Sequence, residues 1–288
     1  MQFQKIRDSF TLKIKANLIR QEIIKMLLQA QSGHTAGPLG LVEIFVALYF
    51  SLANHDPSNA KWEDRDRIVL SNGHVCPLLY AVLAECGYFD KSLLTTLRKL
   101  HSPLQGHPHK GELPGLETSS GPLGQGLSQA CGMALAARLN KKNHLVFCIT
   151  SDGEQQEGQT WEAVMFAKKY ELSNLIQIID RNFIQIDGNT EDIMPLGDLA
   201  EKYRSFGWEV LELKNANEIE EVLEVLSNAI NIAKQGGKKP IVVIAYTTAG
   251  KGVKMFEKNY LWHGKAPNKD EAKIALEELE EDYKKLVG

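Results

Sequence analysis

An acid and an amide each follow an apolar run with the composition of a buried strand. Asp152 lies in Ser-Asp-Gly directly after residues 144–150 (HLVFCIT), and Asn182 comes thirty positions later, after residues 175–180 (LIQIID). Neighbouring parallel strands end at the same edge of a sheet, so the two side chains would meet there. Their oxygens and a main-chain carbonyl would form half of a Mg²⁺ or Ca²⁺ site, completed by phosphate oxygens and water. On spacing alone, a helix cap at Asp152 and a turn at Asn182 are the commoner roles.

Glycines mark two places where the main chain could approach a ligand closely. Gly153 follows Asp152, and the helix predicted after it could direct its free N–H groups at an anion. Residues 121–126 (GPLGQG) precede a predicted helix, but a long loop rather than a strand comes before them, so they are not a dinucleotide-binding turn. We interpret them as a tight loop whose main-chain groups could hydrogen-bond a flat ring.

Four histidines share glycine neighbours. His34, His74 and His107 each follow a glycine, and His263 precedes one, which predicts imidazoles on exposed turns rather than on helix faces. A single histidine of this kind is usually a surface residue. Four of them suggest hydrogen-bond donors for a polar substrate and groups for proton transfer near neutral pH.

The elements that must position these residues alternate along the chain. Apolar runs typical of strands occupy 67–71, 144–150, 175–180, 209–213 and 241–246. Helical patterns occupy 11–30, 76–86, 127–140, 160–170, 197–206, 217–235 and 269–288, and the continuous apolar stretch 41–53 predicts one buried helix. This alternation predicts an α/β fold, a three-layer parallel sheet with helices on both faces. We expect residues 1–288 to form a single domain.

Composition narrows the classes of function. The 288 residues carry a net charge of −3, so a generic electrostatic nucleic-acid binder is not expected. The four cysteines lack CxxC and zinc-finger spacing and are expected to be buried thiols in a reducing compartment. No apolar run is long enough to span a bilayer, and the N-terminus lacks the apolar segment of a secretory signal. We therefore expect a cytoplasmic protein with no membrane partner.

Eight stretches of the chain, taken together, resemble the N-terminal half of transketolase, a thiamine-diphosphate enzyme of sugar-phosphate metabolism. They follow the family's order and are residues 32–40 (SGHTAGPLG), 66–74 (DRIVLSNGH), 104–108 (LQGHP), 119–128 (SSGPLGQGLS), 151–163 (SDGEQQEGQTWEA), 175–188 (LIQIIDRNFIQIDG), 249–253 (AGKGV) and 262–267 (WHGKAP). The resemblance implies the thiamine-diphosphate-binding fold. It also implies thiamine diphosphate and Mg²⁺ (or Ca²⁺ or Mn²⁺) as cofactors.

The resemblance further implies roles for individual residues. The metal ligands would be Asp152, Asn182 and the carbonyl of Ile184. The other cofactor neighbours would be Gly153, His74 and His263 at the diphosphate, Gly121, Pro122 and Leu123 at the aminopyrimidine, and Ile186 at the thiazolium. The catalytic set would be His34, His74, His107 and His263, together with Glu157 at a dimer contact that links active sites.

This chain departs from the family at one motif residue and in length. The family motif begins Gly-Asp-Gly, whereas this chain has Ser151, a small residue that leaves the carboxylate unchanged, so we expect cofactor binding to survive. A full-length transketolase is more than twice as long. We therefore expect a C-terminal transketolase subunit that supplies the pyrimidine-binding domain and the activating glutamate. The α₂β₂ enzyme would transfer a two-carbon ketol unit between sugar phosphates. A truncated piece of a longer enzyme is the alternative.

Other functions stay open at this point. A deoxyxylulose-phosphate-synthase-like enzyme shares SGH-like motifs, although GPLGQG and WHGKAP favour transketolase. A split enzyme acting on a modified sugar would differ mainly in the missing half. A non-catalytic homologue would keep the fold, but Asp152, Asn182 and the histidines are all present, which argues against it. A Rossmann dehydrogenase lacks its G-x-G-x-x-G turn.

Overall fold

The strands of this computed structural model, which describes residues 3–288, form two sheets. They are β1 (Arg67–Leu70), β2 (Val146–Ser151), β3 (Leu175–Arg181), β4 (Ile184–Gln185), β5 (Gly188–Asn189), β6 (Glu209–Leu213) and β7 (Ile241–Tyr246). The larger sheet has the spatial order β1-β2-β3-β7-β6, and all its strand pairs are parallel. The small strands β4 and β5 form an antiparallel hairpin.

The α-helices lie between the strands in sequence and at both ends of the chain. They are α1 (Ser9–Ala30), α2 (Ala36–Gly40), α3 (Val42–Ala47), α4 (Cys76–Cys86), α5 (Gln125–Leu139), α6 (Gly158–Lys169), α7 (Thr190–Ile193), α8 (Leu199–Ser205), α9 (Ile219–Lys234) and α10 (Lys269–Val287). Side chains cap both long terminal helices. Asp8 accepts the Thr11 N–H at the start of α1, and Asn268 with Glu271 forms a capping box at the start of α10.

Helices cover both faces of the parallel sheet, which confirms the predicted three-layer fold. Side chains of a strand alternate between faces, so Phe147 and Ile149 of β2 enter the core shared with α1, α3, α4 and α9. Val146 and Cys148 enter the core shared with α5, α6 and α8. Because both faces are covered, the central strands consist of nearly continuous apolar residues.

The carboxyl ends of four parallel strands lie along one edge of the sheet. Asn72, Asp152, Asn182 and Thr247 come shortly after the ends of β1, β2, β3 and β7. The order of connection reverses between β3 and β7, because the chain passes from β3 to the outer strand β6 before it returns through β7. Ligands of open parallel sheets bind at such a reversal.

Local structure differs from the sequence-based expectations in three places. Residues 41–53 do not form one helix, since α3 is followed by a π-helical segment, Leu48–Leu52. A uniformly apolar stretch has no periodicity from which such a change could be predicted. The last helix before β2 begins at Gln125 rather than at 127, inside the glycine run. Asp152 is followed by a 3₁₀ turn (Gly153–Gln156) rather than an α-helix, and in this turn the buried Glu154 side chain accepts the Ser151 N–H.

The four cysteines are buried and carry free thiols, as expected: Cys76, Cys86, Cys131 and Cys148. Burial raises the pKa of the Cys76 and Cys131 thiols to about 12, so both are protonated at neutral pH. Among the helices of residues 3–288, none is both long enough and apolar enough to cross a membrane.

Candidate functional site at the carboxyl edge of the sheet

Asp152 is almost fully buried at the end of β2, and its two carboxylate oxygens have different surroundings. Oδ2 accepts hydrogen bonds from Arg181 Nη1 at 3.0 Å, the Phe183 N–H at 2.9 Å and Thr190 Oγ1 at 3.1 Å. Within the described chain, Oδ1 accepts only from the Gly153 N–H, at 2.9 Å. The carboxylate is therefore anchored through one oxygen, and the other keeps acceptor capacity.

The turn after β3 places Asn182, the second predicted metal ligand, near Asp152. Phe183 has a φ of 63°, a left-handed conformation that is uncommon outside glycine and that turns the chain sharply. Asn182 Oδ1 accepts the Ile184 N–H at 3.0 Å, and its Nδ2 donates to Asp180 Oδ2 at 2.7 Å. Together with the bond from Phe183 to Asp152, these contacts bring Asp152, Asn182 and Ile184 together at one edge of the sheet.

The donors at this edge suit a hard divalent cation. Asp152 Oδ1, the Asn182 amide oxygen and the Ile184 carbonyl are all oxygen donors, which Mg²⁺ and Ca²⁺ prefer. Burial raises the pKa of the Asp152 carboxyl, and the Arg181 guanidinium opposes that rise. No group of three or more His, Cys, Asp or Glu side chains in residues 3–288 could hold a metal. A cation here would therefore depend on one protein carboxylate and on oxygens from a ligand.

The four predicted histidines converge beside this edge. The His34 ring centroid lies 4.9 Å from that of His74, 5.6 Å from that of His263 and 6.4 Å from that of His107. The His74 and His263 centroids are 5.1 Å apart. The four side chains therefore form one group, which we call the histidine cluster.

The prediction that these histidines lie on exposed turns is wrong for three of them. His74 is buried in a short 3₁₀ turn, His34 and His263 are half-buried, and His107 is exposed. The reason is that the loops pack against each other, as the Thr35 hydroxyl donates to the Lys265 carbonyl at 2.6 Å. Glycine neighbours gave no information about this long-range packing.

Lowered pKa values keep the imidazoles of the histidine cluster uncharged at neutral pH. Desolvation, with the nearby charges of His263 and Arg98, lowers the pKa of His34 to about 3. Desolvation also lowers the pKa of His74, His263 and His107. At neutral pH each imidazole therefore offers one N–H donor and one nitrogen acceptor to a polar ligand.

The glycine run 121–126 borders the histidine cluster. Gly121 has a φ of 152°, and a Cβ built there would lie 3.7 Å from His107 Cγ. Pro122 is exposed, Leu123 is half-buried, and Gly124 has a left-handed φ of 80°. Side chains would be strained at both glycines, so the run keeps its main chain close to the imidazole.

Two further residues singled out by the resemblance lie near the histidine cluster and the glycine run. Ile186 is 62% exposed, and a Cβ added to Gly264 would lie 3.0 Å from its Cδ1 atom and 3.8 Å from His34 Nε2. Ile186 therefore borders the histidine cluster. Glu157 is exposed at the start of α6, where its Cβ lies 2.9 Å from the position of a Cβ added to Gly124.

Several buried polar atoms next to these residues have no hydrogen-bond partner within the described residues. They are both amide atoms of Asn72, Ser120 Oγ and the Nδ1 atoms of His34 and His263. A Cβ added to Gly73 would come within 2.8 Å of Ser120 Cβ, so the loop after β1 touches the segment before the glycine run. Because an unpaired buried polar atom is costly, this grouping indicates a polar ligand.

Glu154 is a buried residue of the site that motif spacing did not single out. Its carboxylate accepts hydrogen bonds from Ser71 Oγ, from the Gly124 N–H at 2.8 Å and from the Ser151 N–H at 2.9 Å. It thus joins the ends of β1 and β2 to the glycine run. Burial raises the pKa of Glu154 to about 7. The one sequence signal that could have identified Glu154 is its position directly after Asp152 and Gly153.

Three more charged residues of the site were not predicted. Asp180 and Arg181 directly precede Asn182, and burial raises the pKa of Asp180 to about 7. Arg98 donates to Ser32 Oγ at 3.0 Å and to the Gly106 carbonyl at 3.2 Å, so it connects the loops before two of the clustered histidines. No motif surrounds Arg98 that could have identified it.

Ser151 fits its position without backbone strain. It ends β2 as a buried residue and is not among the residues with a positive φ, so the main chain does not require glycine there. Its N–H donates to Glu154 and its carbonyl accepts from Gln155 Nε2 at 2.9 Å. The Asp152 carboxylate keeps its contacts beside it.

A comparison with known families identifies this arrangement. The profile of the family described as "Transketolase, thiamine diphosphate binding domain" matches residues 12–286. The chain belongs to the transketolase family. Its membership confirms the resemblance seen in the eight stretches and makes it the thiamine-diphosphate-binding part of a transferase.

Relatives of about the same length match this transketolase-family chain from end to end. One is a subunit of the apulose-4-phosphate transketolase of Phocaeicola vulgatus, which is 37% identical over 276 residues, 96% of each chain. Another is the 6-deoxy-6-sulfo-D-fructose transketolase subunit SqwG of Clostridium sp., which is 40% identical over 271 residues, 94% of this chain and 97% of that one. Transketolase chains of this size therefore occur as separate subunits.

Solved transketolases share the fold but are longer. The complex with sedoheptulose 7-phosphate from Pichia stipitis superposes with a TM-score of 0.86 at 32% identity, over 97% of this chain and 44% of that one. The enzyme from Leishmania mexicana gives a TM-score of 0.84 at 28% identity, over 98% of this chain and 45% of that one. The chain therefore spans less than half the length of these solved transketolases.

Proposed function

We propose that this chain is the thiamine-diphosphate-binding component of a two-subunit transketolase. The enzyme would transfer a two-carbon ketol unit from a ketose phosphate to an aldose phosphate. The observation that carries the proposal is the difference in coverage between two relatives. The chain matches 96% of the Phocaeicola vulgatus relative, which is named as one subunit of its enzyme, but only 45% of a solved transketolase. A C-terminal partner subunit would supply the pyrimidine-binding domain and the activating glutamate.

In this proposal the carboxyl edge of the sheet holds Mg²⁺. Asp152 Oδ1, the Asn182 amide oxygen and the Ile184 carbonyl would be its protein ligands. Support comes from the acceptor capacity left on Oδ1 and from the all-oxygen donor set. Diphosphate oxygens would complete the coordination, which lets a chain without a large basic patch bind a strongly anionic group.

The residues around the metal site would hold thiamine diphosphate. The contacts would be Gly153, His74 and His263 at the diphosphate, main-chain groups of Gly121, Pro122 and Leu123 at the aminopyrimidine, and Ile186 at the thiazolium. The unpaired buried atoms of Asn72, Ser120, His34 and His263 support a polar group in this place. When bound, thiamine diphosphate supplies the carbanion chemistry that breaks and forms carbon–carbon bonds.

His34, His107 and His263 would line the path of the sugar. Because their pKa values are lowered, these imidazoles stay neutral at physiological pH and can both donate to and accept from sugar hydroxyls. A neutral ring nitrogen can also take up a proton from a hydroxyl and return it. His34, with a pKa of about 3, would act as a hydrogen-bonding group rather than as an imidazolium.

An α₂β₂ assembly would cover the exposed apolar side chains that α5 and α6 present. Leu139 of α5 is 74% exposed, and Met165 of α6 is 52% exposed beside Phe166 and Tyr170, whose ring centroids are 4.5 Å apart. We call these four residues the α5–α6 face and assign it to a second copy of this chain. Glu157, at the opposite end of α6 from Phe166 and Tyr170, would lie at the dimer contact that the resemblance implies.

The partner subunit would cover the histidine cluster. Ile186 and Leu261 border this region as exposed apolar side chains, at 62% and 63%. Covering them would exclude water from the reacting groups, which strengthens the hydrogen bonds inside.

The deciding experiment is reconstitution. The chain is purified alone and together with a polypeptide that resembles the C-terminal half of transketolase, and ketol transfer is measured with Mg²⁺ and thiamine diphosphate. We expect turnover only from the pair, and cofactor in the purified pair. Robust turnover by this chain alone would contradict the two-component proposal, and a pair that binds no thiamine diphosphate would contradict the function itself.

A modified ketose is a second candidate for the donor. It is favoured by two relatives of matching length whose names specify apulose 4-phosphate and 6-deoxy-6-sulfo-D-fructose. A panel of donors that includes both compounds and ordinary ketose phosphates, offered to the reconstituted pair at equal concentration, would rank them by kcat/KM.

A further inference from the structure

Arg181 is a buried residue at the end of β3 whose guanidinium is held on three sides. Nη1 donates to Asp152 Oδ2 at 3.0 Å, and Nη2 pairs with the Glu191 carboxylate. The guanidinium carbon also lies 4.0 Å from the ring centroid of Phe183. Its charge is thus matched by two carboxylates, and its plane is packed against an aromatic ring.

This contact limits how Asp152 can meet a cation. Oδ2 already accepts from a guanidinium, a main-chain N–H and the Thr190 hydroxyl. An oxygen with three donors has little capacity left for a metal ion, since a carboxylate oxygen offers about two lone-pair directions. Rotation that presented both oxygens to one cation would break these bonds inside a buried site.

We propose that Arg181 is a positioning residue that restricts Asp152 to binding a metal through Oδ1 alone, and thereby favours Mg²⁺ over Ca²⁺. This inference rests on the proposed function, because that function places the cation at Asp152. Mg²⁺ requires compact octahedral geometry with single carboxylate oxygens, whereas Ca²⁺ accepts more ligands and often takes a carboxylate through both oxygens. A tethered Oδ2 therefore penalises the larger ion selectively.

The surroundings of Arg181 allow the inference to be tested by substitution. A cavity of about 300 Å³ beside it is lined by Phe183, Tyr246, Arg204 and Glu212, among others, so a changed side chain has space. Arg204 lines the same cavity, but its ion pairs are with Glu201 and Glu212 and not with Asp152. Arg204→Gln is therefore a matched control that removes the same charge from the same cavity.

The experiment measures metal selectivity rather than turnover. The chain, reconstituted with its partner subunit, is titrated with Mn²⁺ at saturating thiamine diphosphate. Free Mn²⁺ is followed by its electron paramagnetic resonance signal, and Mg²⁺ or Ca²⁺ then displaces the bound ion. For Arg181→Gln we expect Mg²⁺ affinity to fall about 10–100-fold, the usual effect of losing a residue that orients a ligand. Ca²⁺ affinity should change by less than about threefold, because the freed carboxylate can bind it through both oxygens. Arg204→Gln should keep the wild-type ratio.

The possible outcomes distinguish a failure of this inference from a failure of the proposed function. An equal loss for both ions in Arg181→Gln would indicate a merely structural role and overturn the inference, as would an unchanged ratio. A wild-type pair that binds no Mn²⁺ in the presence of thiamine diphosphate would instead overturn the proposed function. Should Arg181→Gln fail to fold by circular dichroism, Arg181→Lys keeps the charge without the planar fork. Its Mg²⁺/Ca²⁺ ratio should fall, and a wild-type ratio would again reject the positioning role.

Discussion

The Glu154 carboxylate accepts the Gly124 main-chain N–H at 2.8 Å and so fixes the glycine run against the end of β2. Burial raises the pKa of this carboxyl from 4.5 to about 7. A raised pKa means that the folded chain binds the proton more tightly than the unfolded chain. The resulting stability is present in full below about pH 4.5 and is lost as the pH rises through about 7.

Glu154→Gln should remove this pH dependence. We expect the unfolding free energy of the wild type, relative to that of the variant, to fall as the pH rises from 5 to 8. The reason is that only the wild type has a carboxyl group at position 154 that loses its proton in this range. Urea denaturation at pH 5, 6.5 and 8 measures the difference. Glu162→Gln, at an exposed position of α6, is the control and should follow the wild type. Wild-type and Glu154→Gln curves that stay parallel would contradict the assignment of the titration to Glu154.

Asp152→Ala should abolish magnesium-dependent binding of thiamine diphosphate. The change removes the only charged ligand of the proposed site, so we expect a loss larger than the 10–100-fold that removal of an orienting residue causes. Isothermal titration with thiamine diphosphate, with and without Mg²⁺, provides the measurement. His144→Ala changes a residue that borders a different cavity and should bind like wild type. Equal affinity of Asp152→Ala and wild type would show that the metal lies elsewhere.

Two glycines of α5 should respond in opposite directions to the same substitution. A Cβ at Gly126 would lie 2.7 Å from the Ser71 Cα atom, whereas a Cβ at Gly132 would meet nothing within 4 Å. Gly126→Ala should therefore destabilise the chain by about 1–3 kcal/mol through overpacking. Gly132→Ala should stabilise it by about 0.5–1 kcal/mol, because alanine loses less backbone entropy in a helix. Chemical denaturation of both variants tests the pair, and a stable Gly126→Ala would refute the close approach of α5 to the end of β1.

Phe166→Asp should weaken the proposed contact between two copies of this chain. A carboxylate on the α5–α6 face would have to be buried without a partner, which is costly. Light scattering after size exclusion should then show a smaller assembly at micromolar concentration, with the circular dichroism spectrum unchanged. Ile274→Asp, at an exposed apolar position of α10, should keep the wild-type mass. If both variants stay at the wild-type mass, the face does not mediate assembly.

The main features of the sheet and its functional edge were predictable because they follow from local rules. Apolar runs gave the central strands, and the rule that parallel strands end together gave the proximity of Asp152 and Asn182. The burial of His74 was not predictable, because it depends on loops that meet only in three dimensions. The link from Thr35 to Lys265 spans 230 positions, and no pattern within either loop reports it.

The charged residues behind the site were missed for a different reason. Glu154 and Arg181 each adjoin a motif residue, but their importance comes from buried partners contributed by other strands. Charged side chains are usually exposed, so any single glutamate or arginine is expected to lie at the surface. Only the three-dimensional contacts distinguish Glu154 and Arg181 from the many exposed residues of the same types.

The histidine cluster joins segments that are far apart in the sequence, since His34 and His263 are neighbours in space. During synthesis the pocket cannot be completed until residue 263 has emerged from the ribosome, when strands β1 to β7 have all been translated. A nascent or prematurely ended polypeptide thus lacks one wall of the pocket. If thiamine diphosphate binds here as proposed, only chains that extend past residue 263 would gain the extra stability that a bound ligand confers.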